Sequence, residues 1–249
     1  MKVDVVPPYE NFKGLSYGEW VALWNKWLLS EDPDTYDGGD ILFLRGNIDY
    51  KHVDGLGGGP RFIDPQGIYD RTSQNGEHIF EGTAIFIPIF TFMLVLGDMY
   101  DGRVIRKEEE LRYLASRDIN EGGPMWATIS KKGRKATRIV SNLKDYFAYS
   151  PLFRLNVPES SPLRERMELP LQPGVYDAVS AGYFLIIKSL PPSTYRIMFG
   201  EKGPGAYYTN SIYDIFVKGK RRDSVKDKSG SMLTFRRLQG VTSLSKQLS

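Results

Sequence analysis

Four aspartates between residues 32 and 40 are the best metal-ligand candidates in this chain of 249 residues. Carboxylate oxygens are the ligands that Ca²⁺ prefers in proteins. Their spacing differs from that of an EF-hand loop, in which the acids, a central glycine and a final glutamate have fixed positions. Two interpretations therefore stay open: a weak calcium site, or a turn whose aspartates cap backbone N–H groups. The four residues are Asp32, Asp34, Asp37 and Asp40.

The segment 218–249 is the second candidate site, because it is strongly basic. It holds nine Lys and Arg against two Asp, a net charge of +7, whereas residues 1–217 carry a net charge of −4. A basic segment on a mildly acidic body predicts contact with a polyanion or with acidic surfaces of neighbouring subunits. A solvated tail is the alternative. The residues predicted to contact a partner or polyanion are Lys220, Arg221, Arg222, Lys226, Lys228, Arg236 and Arg237.

The sequence contains no recognisable catalytic motif. It has no cysteine, which excludes thiol nucleophiles and thiolate zinc sites, and its two histidines are too few for a three-histidine metal centre. The glycine cluster at 55–60 lacks the pattern of a dinucleotide-binding loop. We therefore predict a non-enzymatic protein without a cofactor, calcium excepted. A carboxylate-based hydrolase stays open, with Asp98 and Asp101, or Glu77 beside His78, as acid–base candidates.

Composition favours a folded, mainly β protein. Hydrophobic residues make up 41% of the chain and charged residues 25%, which excludes disordered and collagen-like classes. The 25 glycines, 15 prolines and 13% aromatic residues favour short strands joined by turns. The longest apolar run, 83–96, contains Pro88 and is too short to span a membrane as a helix. Because the N-terminus lacks the apolar core of a signal peptide, we expect synthesis in the cytoplasm without secretion.

Two helices are predicted, near residues 16–29 and 106–117. The first begins at a capping box, in which Ser16 and Glu19 exchange hydrogen bonds with each other's backbone N–H groups. Aromatic residues follow at helical spacing, and we expect this face to pack on a sheet rather than to bind a ligand. The tryptophans concerned are Trp20, Trp24 and Trp27.

Strands are predicted at 41–48, around 74–81 and repeatedly beyond residue 122. The run 84–96 is expected at the centre of a sheet because it is continuously apolar, with Pro88 marking a bulge or a break. Alternation and apolar runs also predict the core of the protein. The predicted core residues are Ile85, Phe86, Ile87, Phe90, Phe184, Ile186, Ile197 and Phe199.

These elements predict an antiparallel β-sandwich of jelly-roll character with two peripheral helices. The sandwich domain is expected to cover residues 16–217, flanked by an N-terminal arm, 1–15, and the basic tail, 218–249. Within the domain, the segments 181–190 and 194–199 are expected to form a hairpin, because a proline-containing turn separates two strand-like runs.

Several stretches resemble, in the same order, an uncharacterised Trp-rich β-sandwich domain family of bacterial and archaeal hypothetical proteins. Members usually carry a signal peptide and cysteines, which this sequence lacks. The resemblance implies a β-sandwich. Since the family has no assigned activity, the resemblance assigns no active-site residues to this chain. The matching stretches are Glu19-Trp20 with the two tryptophans that follow, a D-x-G turn at Asp37, ILFLRG (41–46), EGTAIFIPI (81–89), DYFAYSPLFRLNVP (145–158), GVYDAVSAGYFLIIKSLPPSTYRIMFG (174–200) and YDIFV (213–217).

The function predicted from these observations is that of a non-catalytic structural or interaction protein. It would be one subunit of a larger, oligomeric assembly such as a phage or virus particle, serving as a minor capsid, decoration or tail component. The alternative is a monomeric β-sandwich module that binds carbohydrate or calcium through the 32–40 loop and aromatic side chains. The aromatic candidates are Trp126, Tyr207 and Tyr208.

Overall fold

The computed structural model describes residues 2–30, 39–46, 68–71, 76–100, 102–120, 123–160, 172–202 and 208–220. The helices are α1 (Tyr17–Leu28) and α2 (Glu108–Asn120). The strands are β1 (Ile41–Phe43), β2 (Ile68–Arg71), β3 (Glu77–Phe80), β4 (Ala84–Val95), β5 (Met99–Tyr100), β6 (Arg103–Val104), β7 (Met125–Lys131), β8 (Thr137–Arg138), β9 (Phe147–Tyr149), β10 (Phe153–Val157), β11 (Gly174–Ile187), β12 (Ser193–Lys202) and β13 (Tyr208–Lys218). The prediction of a mainly β fold with two helices is confirmed.

The strands form two large sheets and a small β5–β6 hairpin. The inner sheet has the order β1-β4-β11-β10, with β9 also paired to β11. The outer sheet has the order β2-β13-β12-β7-β8, with β3 also paired to β13. The long ladders are antiparallel, but β1 with β4, and β2 and β3 with β13, are parallel. The sheets are therefore mixed rather than purely antiparallel, and jelly-roll connectivity stays a prediction.

The inner sheet is covered on both faces. Since successive side chains of a strand point to opposite sides of the sheet, alternate residues belong to different buried clusters. Alternate residues of β4 and β11, such as Ile87 and Leu185, share a buried cluster with Ile197 and Ile215 of the outer sheet. The intervening residues, such as Phe184, belong to a second cluster with α1. Helix α2 contributes to the first cluster through Leu111, Leu114, Ala115 and Ile119.

The predicted core is confirmed at all but one of its strand positions. Phe90 is half-buried, because the middle of β4, residues 90–93, is incompletely covered. Strand β4 continues through Pro88, and its ladder with β11 shifts register at Tyr183 and Phe184, which confirms the predicted bulge. The buried members of the predicted set are Ile85, Phe86, Ile87, Phe184, Ile186, Ile197 and Phe199.

The predicted hairpin of 181–190 with 194–199 is wrong. Strand β11 belongs to the inner sheet and β12 to the outer sheet, so the connection between them crosses from one layer to the other. Pro191 and Pro192 lack the N–H groups that a hairpin ladder would use at this point. The Tyr195 hydroxyl donates to the Pro191 carbonyl oxygen at 2.9 Å and fixes the crossing.

Helix α1 packs its aromatic face on the inner sheet, as predicted. The indole N–H of Trp24 donates to the Leu44 carbonyl oxygen at 2.9 Å, and its ring lies 6.3 Å from Phe86 and 6.2 Å from Phe184. Trp20 and Trp24 are buried. Trp27 is half-buried, with its ring 5.5 Å from that of Phe43. The start of α1 lies beside β9, where Gly18 is close to the Tyr149 carbonyl oxygen.

The N-terminal segment packs along the edge of β11. Val5 pairs with Ile187, and the Val6 N–H donates to the Ile186 carbonyl oxygen at 2.9 Å. The buried Tyr17 hydroxyl accepts from the Ile186 N–H at 3.1 Å and donates to the Val6 carbonyl oxygen at 2.8 Å. This hydroxyl therefore bridges two main-chain segments, and residues 4–6 belong to the folded body.

Candidate interaction surface

An open cavity of about 540 Å³ lies where the N-terminal segment, the start of α1, helix α2 and strand β9 meet. We term it the tyrosine groove, because Tyr17 and Tyr149 are among its lining residues. Three regions of the chain that are distant in sequence build it: 8–19, Arg112 and 147–151. The lining residues are Pro8, Ser16, Tyr17, Gly18, Glu19, Arg112, Phe147, Ala148, Tyr149, Ser150 and Pro151.

The capping box of α1 forms one wall of the groove. The Ser16 backbone N–H and hydroxyl each donate to Glu19 Oε2 at 2.8 Å, and the Glu19 N–H donates to Ser16 Oγ at 3.3 Å. The backbone hydrogen bond from Ser16, followed by the hydroxyl bond, lowers the pKa of the Glu19 carboxyl. Gly18 sits so close to the Tyr149 carbonyl oxygen that a Cβ would collide with it. Glycine is therefore required where α1 meets β9.

Arg112 of α2 forms the opposite wall. Its Nε and Nη2 donate to Glu108 Oε1 at 2.9 and 2.6 Å, and its Nη1 donates to the Ser150 carbonyl oxygen at 2.9 Å. Ser150 in turn exchanges hydrogen bonds with Ser180 of β11 through its backbone N–H and its hydroxyl oxygen. The guanidinium thus links α2 to the inner sheet at this side of the groove.

Exposed apolar side chains occur in the groove and next to its lining residues in the chain. Tyr149, 40% exposed, lines the groove, and Leu152, 37% exposed, follows the lining residue Pro151. Tyr9, 85% exposed, directly follows the lining residue Pro8. Tyrosine is enriched at protein interfaces because it provides a large apolar area together with one hydroxyl. This arrangement is suited to bind a polypeptide surface.

The titratable groups with resolved pKa shifts in the groove do not change charge near neutral pH. The pKa of Glu19 is lowered, and burial raises the pKa of the Tyr17 hydroxyl well above its usual value. Glu19 is therefore a carboxylate and Tyr17 a neutral phenol at pH 7. Their chemistry is that of hydrogen bonding rather than proton transfer.

Glu201 and Arg45 are among the ionisable residues that are buried elsewhere in the described part of the body. Glu201 on β12 is 4% exposed, and burial raises its pKa to about 7. Arg45 is also buried, and its backbone N–H and carbonyl oxygen each lie 2.8 Å from the Tyr213 hydroxyl. Sequence analysis missed Glu201, although the alternation of Tyr195, Ile197 and Phe199 extends inward to position 201.

The acidic loop is described only at Asp40, because Asp32, Asp34 and Asp37 lie outside the described residues. Asp40 is exposed, and its Oδ2 lies 2.8 Å from the Lys13 ammonium. Among the residues that the structure describes, no group of three or more His, Asp or Glu side chains could hold a metal ion. The calcium interpretation stays a prediction for this loop.

The basic tail is described only at its root. Lys220 is exposed just beyond β13, whereas the other six predicted contact residues lie outside the described part of the chain: Arg221, Arg222, Lys226, Lys228, Arg236 and Arg237. Of the aromatic candidates, Trp126 is half-buried on β7, Tyr207 lies outside the described residues, and Tyr208 begins β13.

Of the two acid–base pairs considered for hydrolysis, only Glu77 with His78 is described at both members, and these two side chains do not share a face of the sheet. Glu77 and His78 are neighbours on β3 and so face opposite sides of the sheet, with His78 stacked 4.7 Å from Phe216. Burial raises the pKa of Asp98, an effect that a backbone hydrogen bond at Val95 opposes. Its companion Asp101 lies outside the described residues.

Comparison with known proteins adds no relative. No protein family, curated protein or solved structure matches the chain.

Neither α1 nor α2, the two α-helices of the described ranges, is long and apolar enough to cross a membrane. The geometry of the chain itself is therefore the basis for a functional proposal.

Proposed function

We propose that this protein is a non-catalytic structural or interaction protein that works as a subunit of a larger assembly. The observation that carries the proposal is the tyrosine groove, which is lined by the exposed Tyr149 and whose lining residues Pro151 and Pro8 are followed in the chain by the exposed Leu152 and Tyr9. Large apolar side chains are costly to leave in water and are enriched where proteins bind one another. The groove therefore supports binding to another folded chain, in the simplest case a second copy.

The finer proposal is a component of a phage or virus particle, such as a minor capsid, decoration or tail protein. The basic segment 218–249 supports it, because its net charge of +7 complements both the acidic body of a neighbouring copy and packaged polyanion. The protein would then be made in the cytoplasm and incorporated into the particle.

Light scattering coupled to size exclusion tests the proposal. The wild-type chain is expected to show a mass well above the 28.3 kDa monomer. The double variant Tyr149→Ala and Leu152→Ala is expected to dissociate, because an interface loses most affinity when central aromatic contacts are removed. The matched control, Met99→Ala and Val104→Ala, removes two exposed apolar side chains on the β5–β6 hairpin and should leave the mass unchanged.

A monomeric wild type at every concentration and salt level would overturn self-assembly. An assembly that survives the groove variant, or that the control also dissolves, would show that the groove is not the interface. Circular dichroism of each variant checks that the fold is retained.

A second candidate function is carbohydrate binding by a monomeric module. The observation that favours it is that the exposed Tyr149 lines the same cavity as the polar residues Glu19 and Arg112, since sugars bind aromatic planes together with hydrogen-bonding groups. A glycan array tests it with the wild type and with Tyr149→Ala. Binding by a monomer that is lost in the variant would favour this function over assembly.

A further inference from the structure

The turn that joins β7 to β8 carries a cluster of cations that sequence analysis did not select. We term residues 131–138 the basic hairpin. The Arg134 N–H donates to the Lys131 carbonyl oxygen at 2.8 Å, and Gly133 adopts a φ of 74°, so the chain reverses tightly. Five of its eight residues are basic: Lys131, Lys132, Arg134, Lys135 and Arg138.

The side chains of these five cations are exposed to solvent. None of them forms an ion pair or a side-chain hydrogen bond in the structure as described, whereas other cations of the described chain do, such as Arg196 with Asp214. No acidic residue occurs between Gly123 and Lys144. The charges therefore repel one another at short range and are available to an anionic partner.

The basic hairpin lies at the same end of the outer sheet as the root of the basic tail. The Lys132 N–H donates to the Thr194 carbonyl oxygen at 3.0 Å, and Thr194 pairs with Phe216 of β13. Strand β13 ends two residues later at Lys218, and Lys220 follows. Only β12 separates β7 from β13, so the backbones of these two strands, whose ends carry the two groups of cations, lie about 10 Å apart. Glu81 is on the far side of β13, where its N–H donates to the Lys218 carbonyl oxygen.

We propose that the basic hairpin binds the phosphate backbone of nucleic acid and forms, with Lys218 and Lys220, one continuous polyanion-binding surface. This site goes beyond the proposed assembly function and does not depend on it. A duplex carries one negative charge for about every 1.7 Å of its axis, which matches a dense cluster of unpaired cations. The hairpin turn, KKGRKA, has no large apolar side chain to insert into a lipid surface and no aromatic ring to stack on bases. Binding is therefore expected to be independent of base sequence and sensitive to salt.

Fluorescence anisotropy with a labelled DNA duplex of about 20 base pairs tests the proposal in the full chain over a range of salt concentrations. The triple variant Lys132→Gln, Arg134→Gln and Lys135→Gln is expected to weaken binding about tenfold or more and to reduce the salt slope by about 3. The matched control, Arg103→Gln, Arg106→Gln and Lys107→Gln, neutralises three exposed cations in the segment between β5 and α2. This variant should bind DNA like the wild type.

Three outcomes would overturn the proposal: no binding of DNA by the wild type, equal binding by the triple variant, or an equal loss in the control. Vesicles of phosphatidylcholine with phosphatidylserine serve as the competing probe, and a wild type that binds them but not DNA would also overturn it. If the triple variant melts at a lower temperature than the wild type, the pair Lys132→Gln and Lys135→Gln repeats the test with Arg134 intact. The same loss of DNA affinity is expected there.

Discussion

The inner and outer sheets differ in how many of their faces are buried, and their sequences differ accordingly. Strand β11 of the inner sheet is buried at every position from 178 to 187, because α1 covers one face and the outer sheet or α2 covers the other. Strand β12 of the outer sheet alternates, with Tyr195 and Ile197 buried and Arg196 exposed. A continuous apolar run thus indicates a central layer, and alternation indicates a surface layer.

The largest expected effect on stability comes from replacing one phenylalanine by alanine in each sheet and comparing the two losses. Phe184→Ala in the inner sheet should lower the free energy of unfolding by about 3 to 5 kcal/mol, because it leaves a cavity between Trp24 and Phe86. Phe216→Ala on the open face of the outer sheet should cost about 1 kcal/mol, because this ring is half-buried and contacts His78. Urea denaturation of both variants measures the difference.

Equal losses for the two phenylalanines would contradict the layer assignment, since the outer sheet would then have to be covered on its second face as well. The slope of the free energy against urea concentration should stay the same in both variants, which confirms that the surface exposed on unfolding has not changed.

A smaller effect concerns the carboxyl group of Glu201 on the inward face of the outer sheet. Because burial raises its pKa from 4.5 to about 7, the folded state binds its proton more tightly than the unfolded state. The contribution of Glu201 to the free energy of unfolding is fully present below about pH 4.5. It is lost as the pH rises through 7, which lowers the free energy of unfolding by up to about 3 kcal/mol. Glu201→Gln should remove this loss, so the variant should gain stability over the wild type between pH 5 and pH 8.

The control for this prediction is Glu19→Gln, at the start of α1. Its pKa is shifted downward, so the stability it provides is lost only as the pH falls below the usual range of a glutamate. Thermal unfolding followed between pH 5 and pH 8 should show a changed slope for the Glu201 variant alone. A wild type whose stability does not fall over this range would rule out the raised pKa.

The smallest expected effect is at the edge of the inner sheet. Tyr17→Phe removes the hydroxyl that accepts from the Ile186 N–H and donates to the Val6 carbonyl oxygen. Leaving these buried groups without a partner should cost about 1 to 2 kcal/mol. Hydrogen exchange should be faster at the Ile186 amide, because its N–H loses its acceptor. Unchanged exchange at Ile186 would contradict the bridging role, while Tyr195→Phe, at the crossing between the sheets, should leave this amide unaffected.

Local signals in the sequence predicted the elements well. The capping box of Ser16 and Glu19 placed the start of α1, and Pro88 placed the bulge in β4, because both depend on a few neighbouring residues. The crossing at Pro191 and Pro192 was not predicted, since a turn sequence does not say whether its two strands pair or enter different sheets.

The candidate sites were harder to predict for the same physical reason. The tyrosine groove combines Pro8, Gly18, Arg112 and Tyr149, whose proximity depends on how α1 and α2 pack on the inner sheet. The cations of the basic hairpin are close together in the sequence, so the cluster itself could have been predicted. Its position beside Lys218 could not, because it depends on β12 lying between β7 and β13.

The Tyr17 bridge also constrains when the protein can fold during synthesis. Tyr17 and Ile186 are 169 residues apart in the chain, so the contact waits for most of the protein to be made. At ribosomal speeds of about 5 to 20 residues per second, this delay is roughly 8 to 34 s. Throughout it, Trp20 and Trp24 have been made but lack Phe184 and Ile186, with which they are later buried. The nascent chain therefore presents an apolar helix face to other chains and to chaperones for most of its synthesis.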